Sequence, residues 1–272
     1  MYHNLFDSHT HTSNSTDAEH SLIYLAEVAE QNGFMGFAVT DHVECIGFEE
    51  NGYRTRSLQS MVDTAKAKAA FRHRLSLSCG VELGVAHGFY AVAHEAAQIY
   101  PYDFILGSCH FTRDGKGFSR INYKSLSKDE LHRMMIDYFD DQIELALWGE
   151  FDSLAHPTYP VRYALKCGGE GIDLSPYREQ IDKLLRLLIE KGKAIELNSC
   201  GLRYPLDKVL PPRWLLERYK ELGGELITIG SDAHQAGFLG RGIVEVMSLL
   251  ADMGYRYFTF YRSRQPIMLR IV

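Results

Sequence analysis

The chain is poor in cysteine, and the spacing of its few thiols excludes two common kinds of site. The 272 residues contain five cysteines, which are widely spaced, odd in number and include no CxxC pair. A disulfide framework needs paired cysteines, and a thiolate zinc site needs closely spaced ones, so the sequence favours neither. Unpaired thiols of this kind are typical of proteins from a reducing compartment.

A signal peptide and a long hydrophobic run are also missing. The N-terminus has no basic segment followed by an apolar core, and no apolar run approaches the length of a membrane span. We therefore expect a cytoplasmic protein with no membrane partner.

The sequence shows no excess of positive charge. It has 29 lysines and arginines against 35 acids, which gives a formal net charge of −6. This balance argues against broad binding to nucleic acid, so we expect no nucleic-acid partner. The length suits one α/β barrel of about 250 residues, and no Pro/Ser-rich linker divides the chain. We expect residues 1–272 to form a single domain, and the sequence leaves the oligomeric state open.

What the chain does contain is a repeated alternation of short apolar runs and longer segments with helical periodicity. The predicted strands are 5–8, 36–40, 75–81, 104–107, 153–155, 194–197, 226–229 and 257–260. Between them, apolar residues recur at helical spacing, as at positions 22, 25, 26 and 29 or 184, 185, 188 and 189. This alternation predicts a parallel sheet, which fits a closed barrel or an open doubly wound sheet. The polar segment 43–56 is predicted to be a loop at the mouth of a site.

Residues that can bind a metal ion follow most of these predicted strands. The candidates, in chain order, are His9, His11, Asp17, His42, Glu82, His110, His156, Asp232 and His234. An α/β barrel brings the carboxyl ends of its strands to one face, where its active site lies. Alternate residues of an extended segment face the same way, so His9 and His11 can reach one ion. Asp232 and His234 repeat that spacing, and Asp41 is expected to orient a neighbouring imidazole.

Nitrogen and oxygen ligands limit the chemistry of such a site. They suit Zn, Mn, Fe or Ni and do not select among them. We expect two or three divalent cations, with Zn, Mn and Fe as the candidates. Clustered cations can hold a hydroxide at neutral pH, clamp a phosphate and stabilise a leaving oxygen. The pattern therefore predicts a metal-dependent hydrolase.

Taken in order, the motifs HxH, DH, a strand-end Glu, two single histidines and DxH resemble the PHP superfamily, named for polymerase and histidinol phosphatase. The resemblance extends from His9 to His234. It implies an α/β fold, a single distorted (β/α)7 TIM-like barrel, with a trinuclear metal centre at the C-terminal face of the strands. By position, it assigns His9, His11, Glu82 and Asp232 to a first ion, Glu82, His110 and His156 to a second, and Asp17, His42 and His234 to a third.

Two stretches, 105–111 and 196–203, resemble the histidinol-phosphate phosphatases within that superfamily. This implies hydrolysis of a small phosphate ester, L-histidinol phosphate, to L-histidinol and phosphate by a metal-bridging hydroxide, in histidine biosynthesis. Arg203 is the first candidate for binding phosphate, because a guanidinium can hold two phosphate oxygens; Arg162 is the second. Asp232 and His234 are candidates for catalytic proton transfer. The stretches 83–85 and 158–163 depart from the family pattern and leave the substrate open.

Two alternative interpretations share the same residues. A PHP phosphoesterase could act on phosphotyrosine proteins or on nucleotide phosphodiesters, although the acidic charge disfavours nucleic acid. A non-catalytic, metal-binding regulatory module is a further alternative. The ligating side chains retained at all the matched positions argue against it.

Overall fold

The computed structural model describes residues 4–167, 171–203 and 208–271, in which strands and helices alternate. The strands are β1 (Phe6–Thr10), β2 (Gly36–Val39), β3 (His42–Glu44), β4 (Ser76–Gly84), β5 (Phe104–Ser108), β6 (Ser153–Leu154), β7 (Ala194–Asn198), β8 (Ile227–Gly230), β9 (Tyr257–Arg262) and β10 (Gln265–Arg270). The α-helices are α1 (Leu22–Gln31), α2 (Tyr53–Ala70), α3 (Tyr90–Gln98), α4 (Lys128–Trp148), α5 (Tyr159–Lys166), α6 (Arg178–Glu190), α7 (Arg213–Glu221) and α8 (Ile243–Asp252). Within these ranges, no helix combines the length and the hydropathy that crossing a bilayer requires.

Seven parallel strands form a nearly closed barrel. Their order is β1-β2-β4-β5-β6-β7-β8. At the seam between β1 and β8, the N–H of Asp232 donates to the carbonyl oxygen of His9 at 2.8 Å, and the N–H of His11 donates to that of Ala233 at 2.9 Å. The predicted α/β fold with a distorted (β/α)7 barrel is thus confirmed, and the open doubly wound sheet is wrong.

The barrel strands are buried because side chains fill the interior and helices cover the outside. All residues of β1, β2, β5, β6, β7 and β8 are buried. The predicted apolar stripe of α1 is buried at Leu22, Leu25, Ala26 and Ala29. The stripe of α6 is buried at Leu184, Leu185 and Leu188. Helical periodicity therefore identified the faces that cover the sheet.

The prediction of a loop over 43–56 is wrong at both ends of that segment, which lie in a strand and in a helix. The short strand β3 pairs with residues 82–84 of β4, whereas β2 pairs with residues 76–79 of the same strand. β2 and β3 therefore behave as two halves of one strand, interrupted at Thr40 and Asp41. Helix α2 already begins at Tyr53. Opposite Glu44 stands Gly84, where any Cβ would collide with the Glu44 carboxylate.

The last predicted strand, 257–260, lies outside the barrel. It belongs to β9, which pairs antiparallel with β10 in a hairpin. The ring centroids of Phe260 and Phe6 lie 4.6 Å apart, and those of Tyr261 and Phe104 lie 5.1 Å apart. Phe6 and Phe104 begin β1 and β5, so the hairpin covers the N-terminal end of the barrel. The C-terminal end is left for a site.

Candidate metal centre

All nine predicted ligand residues meet at the C-terminal end of the barrel, around Glu82. Glu82 is fully buried in β4. Its Oε2 lies 3.2 Å from His9 Nε2 and 3.5 Å from His11 Nε2. Its Oε1 lies 3.0 Å from His110 Nε2 and 2.7 Å from His156 Nε2. One carboxylate therefore faces two separate pairs of histidines.

Asp232 completes the first group of candidate ligands. Its Oδ1 lies 3.8 Å from His9 Nε2 and 3.5 Å from His11 Nε2. Ligands of a tetrahedral zinc ion lie about 3.3–3.6 Å from one another, given bond lengths of about 2.0–2.2 Å. Buried His9 Nε2, His11 Nε2 and Glu82 Oε2 have no hydrogen-bond partner in the described chain. Because buried polar atoms rarely lack a partner, the geometry fits a cation among them.

The second group consists of His110 and His156 facing Glu82. The two Nε2 atoms lie 3.4 Å apart. His156 has a φ of +26°, a backbone region that costs a non-glycine residue about 1–3 kcal/mol. Its N–H donates to Glu196 Oε2 at 2.7 Å. This hydrogen bond stabilises the turn that directs the imidazole towards Glu82.

The third group is more open to solvent. Asp17 Oδ2 lies 3.3 Å from His234 Nε2 and 3.7 Å from His42 Nε2, and the two Nε2 atoms lie 3.4 Å apart. The Asp17 side chain is 56% exposed, so this group forms the outer edge of the centre. His42 Nδ1 lies 2.9 Å from Glu82 Oε2, which places the third group directly beside the first.

Burial and neighbouring charge have opposite effects on the pKa values of His9 and Glu82 and act together on that of His11. Burial lowers the pKa of His9, but the neighbouring Glu196 and Glu82 raise it well above its usual value. Burial and neighbouring imidazoles both lower the pKa of His11. Burial raises the pKa of Glu82, yet His9 and His110 hold it well below its usual range. The central carboxylate is therefore kept ionised, the form that binds cations.

Two carboxylates that the sequence analysis missed contact the candidate ligand histidines. Glu196 Oε1 lies 2.7 Å from His9 Nδ1, and Glu44 Oε1 lies 2.6 Å from His110 Nδ1. In metal sites, such contacts fix the tautomer and the ring orientation of the ligand. The available signal for Glu196 was an acid inside an otherwise apolar strand, because acids are rarely buried without a partner.

Asp41 contacts a ligand histidine only through an intermediary. Its carboxylate accepts hydrogen bonds from the N–H of Thr12 at 2.6 Å, from Ser60 Oγ at 2.6 Å and from Ser15 Oγ at 3.0 Å. Ser15 Oγ in turn lies 3.2 Å from His11 Nδ1. Asp41 therefore reaches the His11 imidazole through a serine hydroxyl.

A cavity of about 380 Å³ opens beside the centre and is lined by both predicted phosphate-binding arginines. Buried Arg162 donates from a terminal nitrogen to Asp232 Oδ2 at 2.5 Å. Arg203 donates to the carbonyl oxygens of Ser231 and Asp232 at 2.6 and 3.1 Å. Its guanidinium lies 5.0 Å from the centroid of the Phe238 ring. The cavity thus brings candidate metal ligands and positive charge onto one wall.

Comparisons with known proteins extend over most of the chain. The PHP domain family profile matches residues 7–200. The chain is 30% identical to the probable histidinol-phosphatase of Thermotoga maritima, over 93% of this chain and 94% of that protein. It is 29% identical to the probable histidinol-phosphatase of Clostridium acetobutylicum, over 87% and 89%.

The fold is also similar to a solved structure. The crystal structure of histidinol phosphate phosphatase from Lactococcus lactis, complexed with zinc, L-histidinol and phosphate, matches with a TM-score of 0.79. The two chains are 22% identical, and the match covers 97% of this chain and 99% of that one. The resemblance indicated by the motifs is thus confirmed, and the chain belongs to the PHP domain family.

Proposed function

We propose that this protein hydrolyses L-histidinol phosphate to L-histidinol and phosphate with bound divalent cations. The observation that carries the proposal is that two histidine pairs share buried Glu82 beside a cavity that also contains Arg162 and Arg203. Relatives matched over most of their length are named probable histidinol-phosphatases. The Lactococcus lactis protein, which has this fold, is complexed with zinc, L-histidinol and phosphate.

The three groups of side chains are proposed to hold two or three ions of zinc, manganese or iron. His9, His11, Glu82 and Asp232 would hold the first, Glu82, His110 and His156 the second, and Asp17, His42 and His234 the third. Bound ions of this kind activate water, orient the phosphate and offset the charge that develops on the leaving oxygen. Glu82 would bridge the first and second positions.

Arg203 is proposed to bind the phosphate group. Two backbone carbonyl oxygens and the face of Phe238 already fix its guanidinium at the cavity wall. Each terminal nitrogen carries a second hydrogen, and the planar group matches two phosphate oxygens. A guanidinium held in place loses less rotamer entropy on binding than a mobile side chain does. Arg162 adds a second positive charge on the same wall.

Asp232 and His234 are the proposed proton-transfer residues. Burial raises the pKa of Asp232, but Arg162 and His9 hold it well below its usual range. Asp232 is therefore ionised at neutral pH, the form that can accept a proton, but its low pKa makes it a weak base. His234 Nδ1 lies 3.1 Å from the carbonyl oxygen of Asp232, an arrangement that keeps a proton on Nδ1 and leaves Nε2 facing Asp17.

The proposal extends to the setting of the enzyme. A net charge of −6 supports a small-molecule substrate in preference to nucleic acid. Unpaired cysteines support a cytoplasmic location. The C-terminal hairpin covers the barrel built by the preceding strands, which supports one domain over residues 1–272.

Phosphate release from L-histidinol phosphate tests the proposal. Purified protein is assayed with zinc or manganese and after chelation, beside phosphotyrosine, a phosphodiester and other small monoesters. We expect metal-dependent turnover with a strong preference for L-histidinol phosphate. Equal rates on every monoester would reject this substrate and keep a general phosphatase. Absence of turnover on all of them, with metal bound, would reject the enzyme assignment.

A further inference from the structure

Glu196 is a buried acid of β7 whose two oxygens contact different groups of the candidate metal centre. It has no solvent-exposed surface. Its Oε1 lies 2.7 Å from His9 Nδ1, in the first group. Its Oε2 accepts hydrogen bonds from the backbone N–H of His156, in the second group, at 2.7 Å and from Asn198 Nδ2 at 3.1 Å. No ligand role falls to Glu196 in the arrangement described above.

The contact with His9 determines which nitrogen of the ring can bind a cation. In the neutral imidazole that binds a cation, a carboxylate beside Nδ1 keeps the proton on that atom, so Nε2 carries the lone pair. Nε2 is the atom that faces Glu82 Oε2 at 3.2 Å and Asp232 Oδ1 at 3.8 Å. Loss of the Glu196 contact would allow the proton to move to Nε2 and block the first group.

The contact with His156 acts on the backbone. At a φ of +26°, His156 is in a conformation that non-glycine residues rarely adopt. Its N–H is satisfied by Glu196 Oε2, and a buried N–H without an acceptor would cost about 1–3 kcal/mol. The same turn directs His156 Nε2 to within 2.7 Å of Glu82 Oε1. Relaxation of the turn would therefore displace a ligand of the second group.

We propose that Glu196 is a positioning residue that couples the first two metal groups. One carboxylate sets the ring of His9 and the backbone turn of His156, so an ion bound to either group stabilises the geometry that the other group requires. The inference rests on the proposed function only in taking these groups to be metal sites.

Glu44 provides a matched comparison within the same centre. Its Oε1 lies 2.6 Å from His110 Nδ1, and it contacts neither His9 nor His156 in the described structure. Glu44 therefore supports the second group and lies beside the third, with its Oε1 3.9 Å from His42 Nδ1, whereas Glu196 supports the first and the second. The two acids can be changed to the same amide.

The experiment is a zinc titration of the metal-free wild type and of Glu196→Gln and Glu44→Gln, with chelator competition to measure affinity. NMR signals of the side-chain nitrogens in isotope-labelled histidines report which group binds zinc. Glu217→Gln, on the exposed surface of α7, controls for the chemical change. In Glu196→Gln all three donors lose a charged acceptor, and the new NH2 group faces either His9 or the pair His156 and Asn198. We expect zinc binding to weaken about 10–100-fold in the first and the second group for Glu196→Gln, and in the second group with no change in the first for Glu44→Gln.

Equal zinc affinity in Glu196→Gln and the wild type would overturn the proposal, as would weakening confined to one group.

If Glu196→Gln does not fold, the wild type supplies the test. The first equivalent of zinc should slow hydrogen exchange of the His156 amide and of the His9 ring proton together. Exchange that slows at only one of them overturns the coupling. Coupled filling in a wild type that hydrolyses no phosphate ester would support this inference and reject the proposed function. A wild type that binds no zinc would reject both.

Discussion

The two ends of the barrel both bury charged side chains, but they differ in how those side chains are satisfied. At the N-terminal end, Asp152 Oδ2 accepts hydrogen bonds from the N–H of Ile105 at 2.8 Å and from Arg264 Nε at 2.6 Å. At the C-terminal end, His9 Nε2 and Glu82 Oε2 lie 3.2 Å apart, and neither has a hydrogen-bond partner in the described chain. The first arrangement is complete within the protein, whereas the second leaves buried polar atoms that the described chain does not satisfy.

The two ends of the barrel therefore differ in what they contribute: the N-terminal end contributes to stability, and the C-terminal end carries the candidate site. Buried polar groups that satisfy one another make a structure rigid, and those left unsatisfied are costly unless something binds there. In α/β barrels, the C-terminal face carries the active site and the N-terminal face contributes to stability. Substitutions at the two ends should therefore affect different measurements, and the largest effect is expected at the centre of the metal groups.

Glu82→Gln removes the carboxylate that both histidine pairs face. We expect phosphate release to fall about 1,000-fold or more, since metal ions contribute several kcal/mol to such reactions. In the wild type, zinc at about 100 times its Kd should add about 2.7 kcal/mol to the free energy of unfolding. Thermal unfolding of Glu82→Gln should change far less on adding zinc. Near-normal turnover by this variant would contradict the bridging role of Glu82.

Asp152→Ala disrupts the opposite end. The buried N–H of Ile105 would lose its acceptor and Arg264 its acidic partner. We expect the free energy of unfolding to fall by about 3 kcal/mol, measured by urea denaturation. Zinc affinity and the kcat of the folded protein should be unchanged. A loss of zinc binding comparable to that in Glu82→Gln would show that the two ends are not independent.

Arg203→Lys tests the cavity wall and leaves every candidate ligand side chain in place, although Arg203 also donates to the carbonyl oxygen of Asp232. A lysine keeps the positive charge but cannot present two parallel N–H groups to a phosphate. We expect kcat/KM to fall about 10–100-fold, mainly through a higher KM, since a good charged contact contributes about 1.5–3 kcal/mol. Zinc content should stay at the wild-type level. Unchanged kinetic constants would mean that Arg203 does not bind the phosphate.

The sequence could predict which side chains meet at the C-terminal end of the barrel, because most of them follow or end a recognisable apolar run. His9, Glu82 and Asp232 were proposed in this way, and the barrel brings His9 Nε2 within 4 Å of both carboxylates. Ligation by these residues and by Asp17, and the single domain over 1–272, stay predictions. The nitrogen and oxygen donor atoms narrowed the choice of metal ion, but several ions bind such donors, so the sequence could not select one.

The supporting residues could not be predicted, because their roles depend on strand register. Glu44 stands on a three-residue strand, which is too short for an alternating pattern to be recognised. The contact between Glu196 and the N–H of His156 joins residues 40 positions apart. Hydrophobic alternation also does not distinguish parallel from antiparallel pairing, so β9 was expected beside the barrel strands and lies instead in a hairpin.

The smallest expected effect concerns Asp103 at the N-terminal end. Burial raises its pKa, but Lys68 and the backbone N–H groups of Cys79 and Ser263 outweigh burial and lower the pKa below 3.8. An acid with a lowered folded-state pKa contributes stability above its ordinary pKa and loses that contribution as the pH falls through the folded value. In metal-free protein, the wild type should therefore be more stable to urea than Asp103→Asn at pH 7. The difference should shrink below pH 3.8, because protonation of Asp103 removes the charge that the variant lacks at every pH. A difference that stayed constant across this range would show that Asp103 acts through packing and neutral hydrogen bonds, and the contrast between the two ends would then not depend on its charge.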